Sequence, residues 1–328
     1  PVVFGMWITS EIAAMATDLA EFLGASIALN LLFGIPLFLA ALLTGVITYL
    51  ILLLENRGFR PLEAVITALV GVIALCYVGE TLFSHPDWGQ VGLHAVLPWE
   101  GNSASILISV GIIGATVMPH VLYLHSSLMQ KRIVPRNEQD ARRIFHRTIP
   151  DVVLAMGLAG LVNIAMLYMA AATFHAHGQN GVADINTAYQ TLTPLLGSAA
   201  SLVFAISLLA AGLSSSTVGT MAGQVIMQGF VGFTIPIWLR RLVTMLPALI
   251  VVGIGFNATQ TLVISQVVLS FVLPIPVIAL MIFTSRRKLM GVLVNTKLTM
   301  VLAILCSVII LTLNVILLLY QFFGSALF

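Results

Sequence analysis

Residues 105–130 read SILISVGIIGATVMPHVLYLHSSLMQ. The run is apolar and exceeds the 20 or so residues that cross a bilayer as a helix. Its midpoint, GATVMPH at 114–120, places a glycine, a proline and a histidine where a spanning helix most needs unbroken hydrogen bonding. Proline removes a backbone donor and crowds the carbonyl one turn earlier, and Gly114 adds freedom. The helix is expected to unwind around 114–119. Carbonyls freed in hydrocarbon are costly unless they line a cavity or meet protein. Discontinuous membrane helices resolve this near the midplane, where their unwound carbonyls hold cations. The plainer alternative is a proline-kinked helix in which Met118 only fills space.

Outward from this stretch, the composition agrees with a membrane setting. Of 328 residues, 59% are hydrophobic and 8% charged, against about 25% charge in a soluble domain. Mean hydropathy is +1.08. Apolar runs at roughly 1–24, 28–54, 61–84, 104–130, 149–175, 193–219, 237–256, 259–284 and 297–323 predict an all-α polytopic membrane protein with about nine spanning helices. The segment 221–238, MAGQVIMQGFVGFTIPIW, reads as a short surface helix or loop at the interface. Residues 1–328 read as one membrane domain. The chain opens at Pro1 already in an apolar run, with no signal peptide, and a preceding segment is expected. Cys76 and Cys306 lie in apolar runs and imply no disulfide framework.

The fourteen Lys and Arg order the topology. Arg57 and Arg60, the group from Lys131 to Arg147, Arg240 and Arg241, and the group from Arg286 to Lys297 occupy alternate connections. The connections at 25–27, 85–103, 176–192 and 257–258 have none. The basic side is therefore expected to be cytoplasmic and the C-terminus outside. Trp88 and Trp99 suit an interfacial aromatic belt. A bacterial inner membrane is the expected location. The net charge of +2 offers nothing to nucleic acid, and no P-loop suggests nucleotide use.

Side chains narrow the chemistry. Met118 offers a soft thioether, which suits Mn²⁺ or Fe²⁺ better than the oxygen-seeking Ca²⁺ and Mg²⁺. The carbonyl of Ala115 or Thr116 is a candidate oxygen ligand. In the first helix, Glu11 and Asp18 are seven residues apart and share a face. Glu21 lies about 60° from Asp18. Carboxylates within a membrane helix cost about 2.5–3.5 kcal/mol each and usually mark ion or proton routes. Solvation at the interfaces is the alternative for Glu11 and Glu21. His120, directly after the break, can hold or pass a proton, or be a hydrogen-bonded core histidine. His125 is a weaker candidate further along. Arg240 and Arg241 are either cytoplasmic flanks or partners of the acids. His175 and His177 read as a solvated loop, and Asp87, Glu100 and Asp184 make the same side mildly acidic.

The motifs resemble one family. GATVMPH with LYLHSSLMQKR (122–132) is similar to the sixth helix of the Nramp family of divalent-metal transporters. ATDLAEFLGA (16–25) resembles that family's third helix, LSSSTVGTMAGQ (213–224) its eighth, and SQVVLSFVLPIPVIAL (265–280) its tenth. The resemblance covers essentially the whole chain. It implies a LeuT-type inverted-repeat transporter fold, of which this chain holds helices three to eleven. It also implies metal ligands at Met118, the Ala115 carbonyl and Gln266, and a permeation or gating position at Asn163, with Thr116 and His125 as neighbouring candidates. Asp18, Glu21, Glu11 and His120 would form a proton pathway, and the resemblance favours pairing of Arg240 or Arg241 with Asp18. Two departures stand out. The family's Asp-Pro-Gly-Asn motif, which supplies further ligands, does not occur here, and Val121 replaces the Asn that often follows Met-Pro-His.

The expectation is a secondary transporter importing Mn²⁺, and Fe²⁺ with it, coupled to protons. It needs no cofactor beyond the transported ions, no nucleic acid and no obligate protein partner; its surroundings are lipid. Three alternatives remain. A cation-coupled amino-acid symporter of the same fold would not need Met118. A magnesium transporter gains little from a thioether. An intramembrane enzyme built on His120 and His125 would need a reaction product, and the two do not form H-E-x-x-H.

Overall fold

The computed structural model describes residues 2–97, 112, 116–132, 134–179, 182, 184–232 and 235–323. These residues are almost wholly helical, the form in which a chain in lipid satisfies its own backbone. The first four helices are α1 (Val2–Phe33), α2 (Leu37–Leu53), α3 (Phe59–Ser84) and α4 (Trp88–Val96). Next come α5 (Pro119–Arg132), α6 (Glu138–Thr173), α7 (Ile185–Leu196) and α8 (Ser198–Val231). The chain continues with α9 (Ile237–Ile254), α10 (Ala258–Val272), α11 (Pro274–Ser285) and α12 (Lys297–Phe323). Among the described residues, eight segments are long and apolar enough to cross a membrane, with α10 and α11 forming one of them. The expected span at 104–130 lies partly outside the described residues, which include its second half as α5. Trp99, Glu100, Gly114 and Ala115 also lie outside them.

Several expected boundaries are corrected. The connection expected at 25–27 is helix: Ala25 and Ser26 are wholly buried inside α1. The turn comes at 34–36, where Gly34 takes a positive φ of 66° and Pro36 starts α2. The stretch 221–231, expected at the interface, continues α8, because Met221, Ala222 and Ile226 are buried against neighbouring helices. Gly232, with φ 81°, ends it. The fifth span was expected to start near 149 but starts at Glu138, where the Asn137 side chain accepts a hydrogen bond from the Asp140 amide at 2.8 Å. Arg142, Arg143 and Arg147 therefore ride on a helix rather than a loop. At 36 residues that helix is about 54 Å long, well beyond the roughly 30 Å of a hydrocarbon core. The connections at 85–103 and 176–192 contain helix α4 and most of α7. Each is capped by an aspartate, Asp87 and Asp184. Trp88 is exposed and packs edge-on to Tyr168.

Asp184 also ties two elements together. One of its oxygens accepts from the Asn186 and Thr187 amides, and the other accepts from the Thr259 hydroxyl at 2.5 Å, at the start of α10. The Thr259 hydroxyl, and then the backbone amides, hold the Asp184 carboxyl below the usual carboxylate range. A depressed folded value means the contribution is complete above the unfolded-chain value, about 3.9, and fades as pH falls through the folded one. The melting-temperature advantage of wild type over Thr259→Val should therefore shrink from about pH 5 to about pH 3. An advantage constant over that interval would refute the link.

The centre of the packing is the crossing of α1 and α8. Two-thirds of the apolar window of α1 is buried within the protein, against 6% for α12. The acids of α1 thus face protein. Small residues allow this approach, as they do between membrane helices generally. A Cβ on Gly212 would lie 2.5 Å from the Ala25 nitrogen and 2.7 Å from its Cβ. Backbone cannot yield as a side chain does, so Gly212→Leu should force the helices apart. The expected result is loss of folded, monodisperse protein in detergent, beyond the roughly 1–3 kcal/mol of ordinary overpacking. A wild-type melting temperature in that variant would contradict the close crossing.

Candidate functional site

Of the unwinding expected at 114–119, two positions are non-helical among the described residues, and 114 and 115 lie outside them. Thr116 is helical, Val117 and Met118 are not, and α5 resumes at Pro119. Proline suits the first position of a helix because its missing donor has no partner there. The Thr116 hydroxyl turns back to the Ile112 carbonyl at 2.7 Å. Met118 is half-buried and His120 is 1% exposed.

His120 meets α1. Its Nδ1 lies 3.1 Å from the Thr17 hydroxyl, which also reaches the Ala13 carbonyl at 2.9 Å. A hydroxyl has one proton to give. With that proton on Ala13, Nδ1–H donates to Thr17, and Nε2 keeps its lone pair. Nε2 is buried and has no partner among the described residues. The next residue, Asp18, is wholly buried. Its Oδ1 accepts a hydrogen bond from Ser216 of α8. Arg241 Nη1 donates to Oδ1 at 3.0 Å and to Oδ2 at 2.8 Å, and lies 3.0 Å from the Thr220 hydroxyl. The Phe22 ring centroid is 5.1 Å from the Arg241 guanidinium carbon.

About two helical turns earlier on α1, Glu11 Oε2 lies 2.8 Å from Arg240 Nη2. This contact joins charges but lies off the direction of the N–H bonds, so the guanidinium has no hydrogen bond there. Arg240 and Arg241 are 1% and 2% exposed. They are interior residues, not cytoplasmic flanks, and each takes its own acid. Glu21 points at Gly219 of α8, and its Oε2 is buried with no hydrogen-bond partner among the described residues. Two acids and two arginines in a low-dielectric interior interact strongly. Such intramembrane groups mark ion or proton routes by default.

The other expected site residues are more scattered. Gln266 is half-buried on α10, and its Oε1 is buried with no hydrogen-bond partner among the described residues. Asn163 on α6 and His125 on α5 are exposed, and no hydrogen bond joins either to this network among the described residues. His177 is tied to the Thr173 carbonyl at 2.8 Å. No group of three or more His, Cys, Asp or Glu forms a metal cage among the described residues. A site here would draw on thioether, amide and carbonyl donors instead. Sequence reasoning did not single out Thr17, Ser216 or Thr220. Their signal is the Ser/Thr/Gly run at 213–224, whose three- and four-residue spacing sets one face of α8 on α1. Glu80 of α3 was also not foreseen: it is 3% exposed, and neither of its carboxylate oxygens has a hydrogen-bond partner among the described residues.

Known proteins resemble this chain in sequence and fold. A family model described as natural resistance-associated macrophage protein-like, Nramp, matches residues 1–320. A divalent metal cation transporter, MntH, of Acidiphilium cryptum (strain JF-5) is 56% identical over 319 residues, covering 97% of this chain and 73% of the relative. The MntH of Deinococcus radiodurans is 52% identical over 314 residues, covering 96% and 72%. Among solved structures, an Eremococcus coleocola manganese transporter in complex with an aromatic bis-isothiourea substituted compound superposes with a TM-score of 0.87. Its identity is 35%, over 99% of this chain and 73% of that one.

Proposed function

The chain belongs to the Nramp family, and from this premise we propose that it is a secondary transporter importing Mn²⁺, and Fe²⁺ with it, coupled to protons. The family moves metal ions and is not a family of enzymes. The chain is a multi-pass membrane protein with the LeuT-type helical fold. The observation that carries the reading is the break at Val117–Met118, immediately before a buried His120 that touches α1 beside Asp18.

In this reading the metal sits at the break. Met118 supplies a soft ligand, and the Ala115 carbonyl and Gln266 supply oxygens. Asp18 receives the proton, with His120 and Glu21 further along the route. Arg241 holds Asp18 in place, and Arg240 does the same for Glu11. Asn163, Thr116 and His125 belong to the ion's passage. The basic connections face the cytoplasm of a bacterial cell, and the C-terminus lies outside. A membrane potential favours entry of a dication by about 4.6 kcal/mol per 100 mV, so proton coupling serves something other than the bare energetics of import.

Uptake of Mn²⁺ into proteoliposomes, with the lumenal pH followed at the same time, tests this directly on the full coding sequence. Mn²⁺ should enter and the lumen acidify with it. Fe²⁺ should compete, and Ca²⁺ and Mg²⁺ in excess should not. If no Mn²⁺ enters, the cation-coupled amino-acid symporter takes the place of this reading.

A further inference from the structure

Arg240 lies in a slot cut into α8. A Cβ built on Gly223 would stand 1.5 Å from Arg240 Nη2, 2.3 Å from Cζ and 2.7 Å from Nε. The planar guanidinium therefore occupies the volume that any side chain at position 223 would fill. From that slot Nη2 reaches Glu11 Oε2 at 2.8 Å. Its sequence neighbour Arg241 goes to Asp18. Gly219, one turn earlier on α8, faces Glu21 and Asp18. The two glycines thus lie under two different parts of the same charge network.

We propose that Gly223 is a positioning residue of the proton route: its bare Cα gives the Arg240 guanidinium the place from which it pairs with Glu11, and so assigns two adjacent arginines to two separate acids. This rests on the reading that the network carries protons. The reason for a glycine here is not the backbone. Residue 223 is in mid-helix, where propensity favours alanine over glycine. A loss on Gly223→Ala would therefore run against the intrinsic trend. A side chain here would make the Arg240 guanidinium leave this place altogether, because three of its atoms fall within 2.7 Å of the new carbon.

The test is a double-mutant cycle on the full coding sequence in proteoliposomes: wild type, Gly223→Ala, Arg240→Ala and both. Initial Mn²⁺ uptake and proton uptake are read together, and melting temperatures are taken in detergent. Gly223→Ala should lower protons moved per Mn²⁺ about tenfold, to the level of Arg240→Ala, and should add nothing in the Arg240→Ala background, as expected for residues in contact. An equal loss in both backgrounds would make Gly223 a helix-packing residue and overturn the proposal, as would an unchanged ratio. If wild type moves Mn²⁺ without protons, the proton reading fails on its own. The melting temperatures then decide whether 223 and 240 are coupled. If Gly223→Ala is not recovered folded, Gly223→Ala with Arg240→Lys replaces it, since a slim ammonium lacks the fork that collides. Recovery of that double variant supports the slot, and failure equal to the single variant refutes it.

Discussion

Met118→Ala is expected to erase most of the preference for Mn²⁺ over Ca²⁺ while leaving a folded protein. The side chain is half-buried beside the helix break, so its loss opens no large core cavity. What it removes is the one soft donor of the proposed set. Hard-cation competitors are indifferent to a thioether, whereas Mn²⁺ and Fe²⁺ gain from it. The ratio of uptake rates should fall by about 10–100-fold, a scale on which even supporting residues of metal sites act. Competition assays in proteoliposomes measure that ratio. A mutant that keeps its selectivity would make Met118 a core filler. The break would then be structural, and the amino-acid symporter would gain.

The second large effect concerns Arg241. Removing its guanidinium leaves Asp18 wholly buried, with Ser216 as its remaining side-chain donor among the described residues. Breaking a buried pair from one side costs about 3–5 kcal/mol, because the other charge is left uncompensated. Arg241→Ala should therefore melt well below wild type and lose proton uptake. Adding Asp18→Asn should recover much of the melting temperature, since neutralising both partners avoids the stranded charge. It should not recover proton uptake, because an amide takes no proton in this range. If the double variant melts as low as the single one, Arg241 matters for packing against Phe22 rather than for charge.

Much of the architecture could be read along the chain. Asp18 and Glu11 fall on one face by spacing alone, and both face the α8–α9 side. Pro119 marked the end of the break, and α5 begins at it. The boundaries that were misread have local reasons. Residues 25–27 were expected to be a connection, but Ala25, Ser26 and Ile27 are buried and Ala25 meets Gly212 of α8, which keeps them helical. The caps at Asp87 and Asp184 carry a helix-start signal, but the helices they open are too short to register as spanning apolar runs.

What the sequence by itself determined is that the chain is a series of apolar helices long enough to span, with a break before Pro119 and acids within the first of them. These follow from one-dimensional properties: apolar length, a missing amide donor, and a charge that lipid does not tolerate. Which arginine serves which acid was decided only by the tertiary structure. Asp18 and Arg241 are 223 residues apart in sequence, and no spacing rule reaches that far. Adjacent arginines on a helix point about 100° apart. Their division between Glu11 and Asp18 depends on the surface of a third helix, where Gly223 leaves room for one guanidinium and Ser216 and Thr220 complete the polar shell of the other pair.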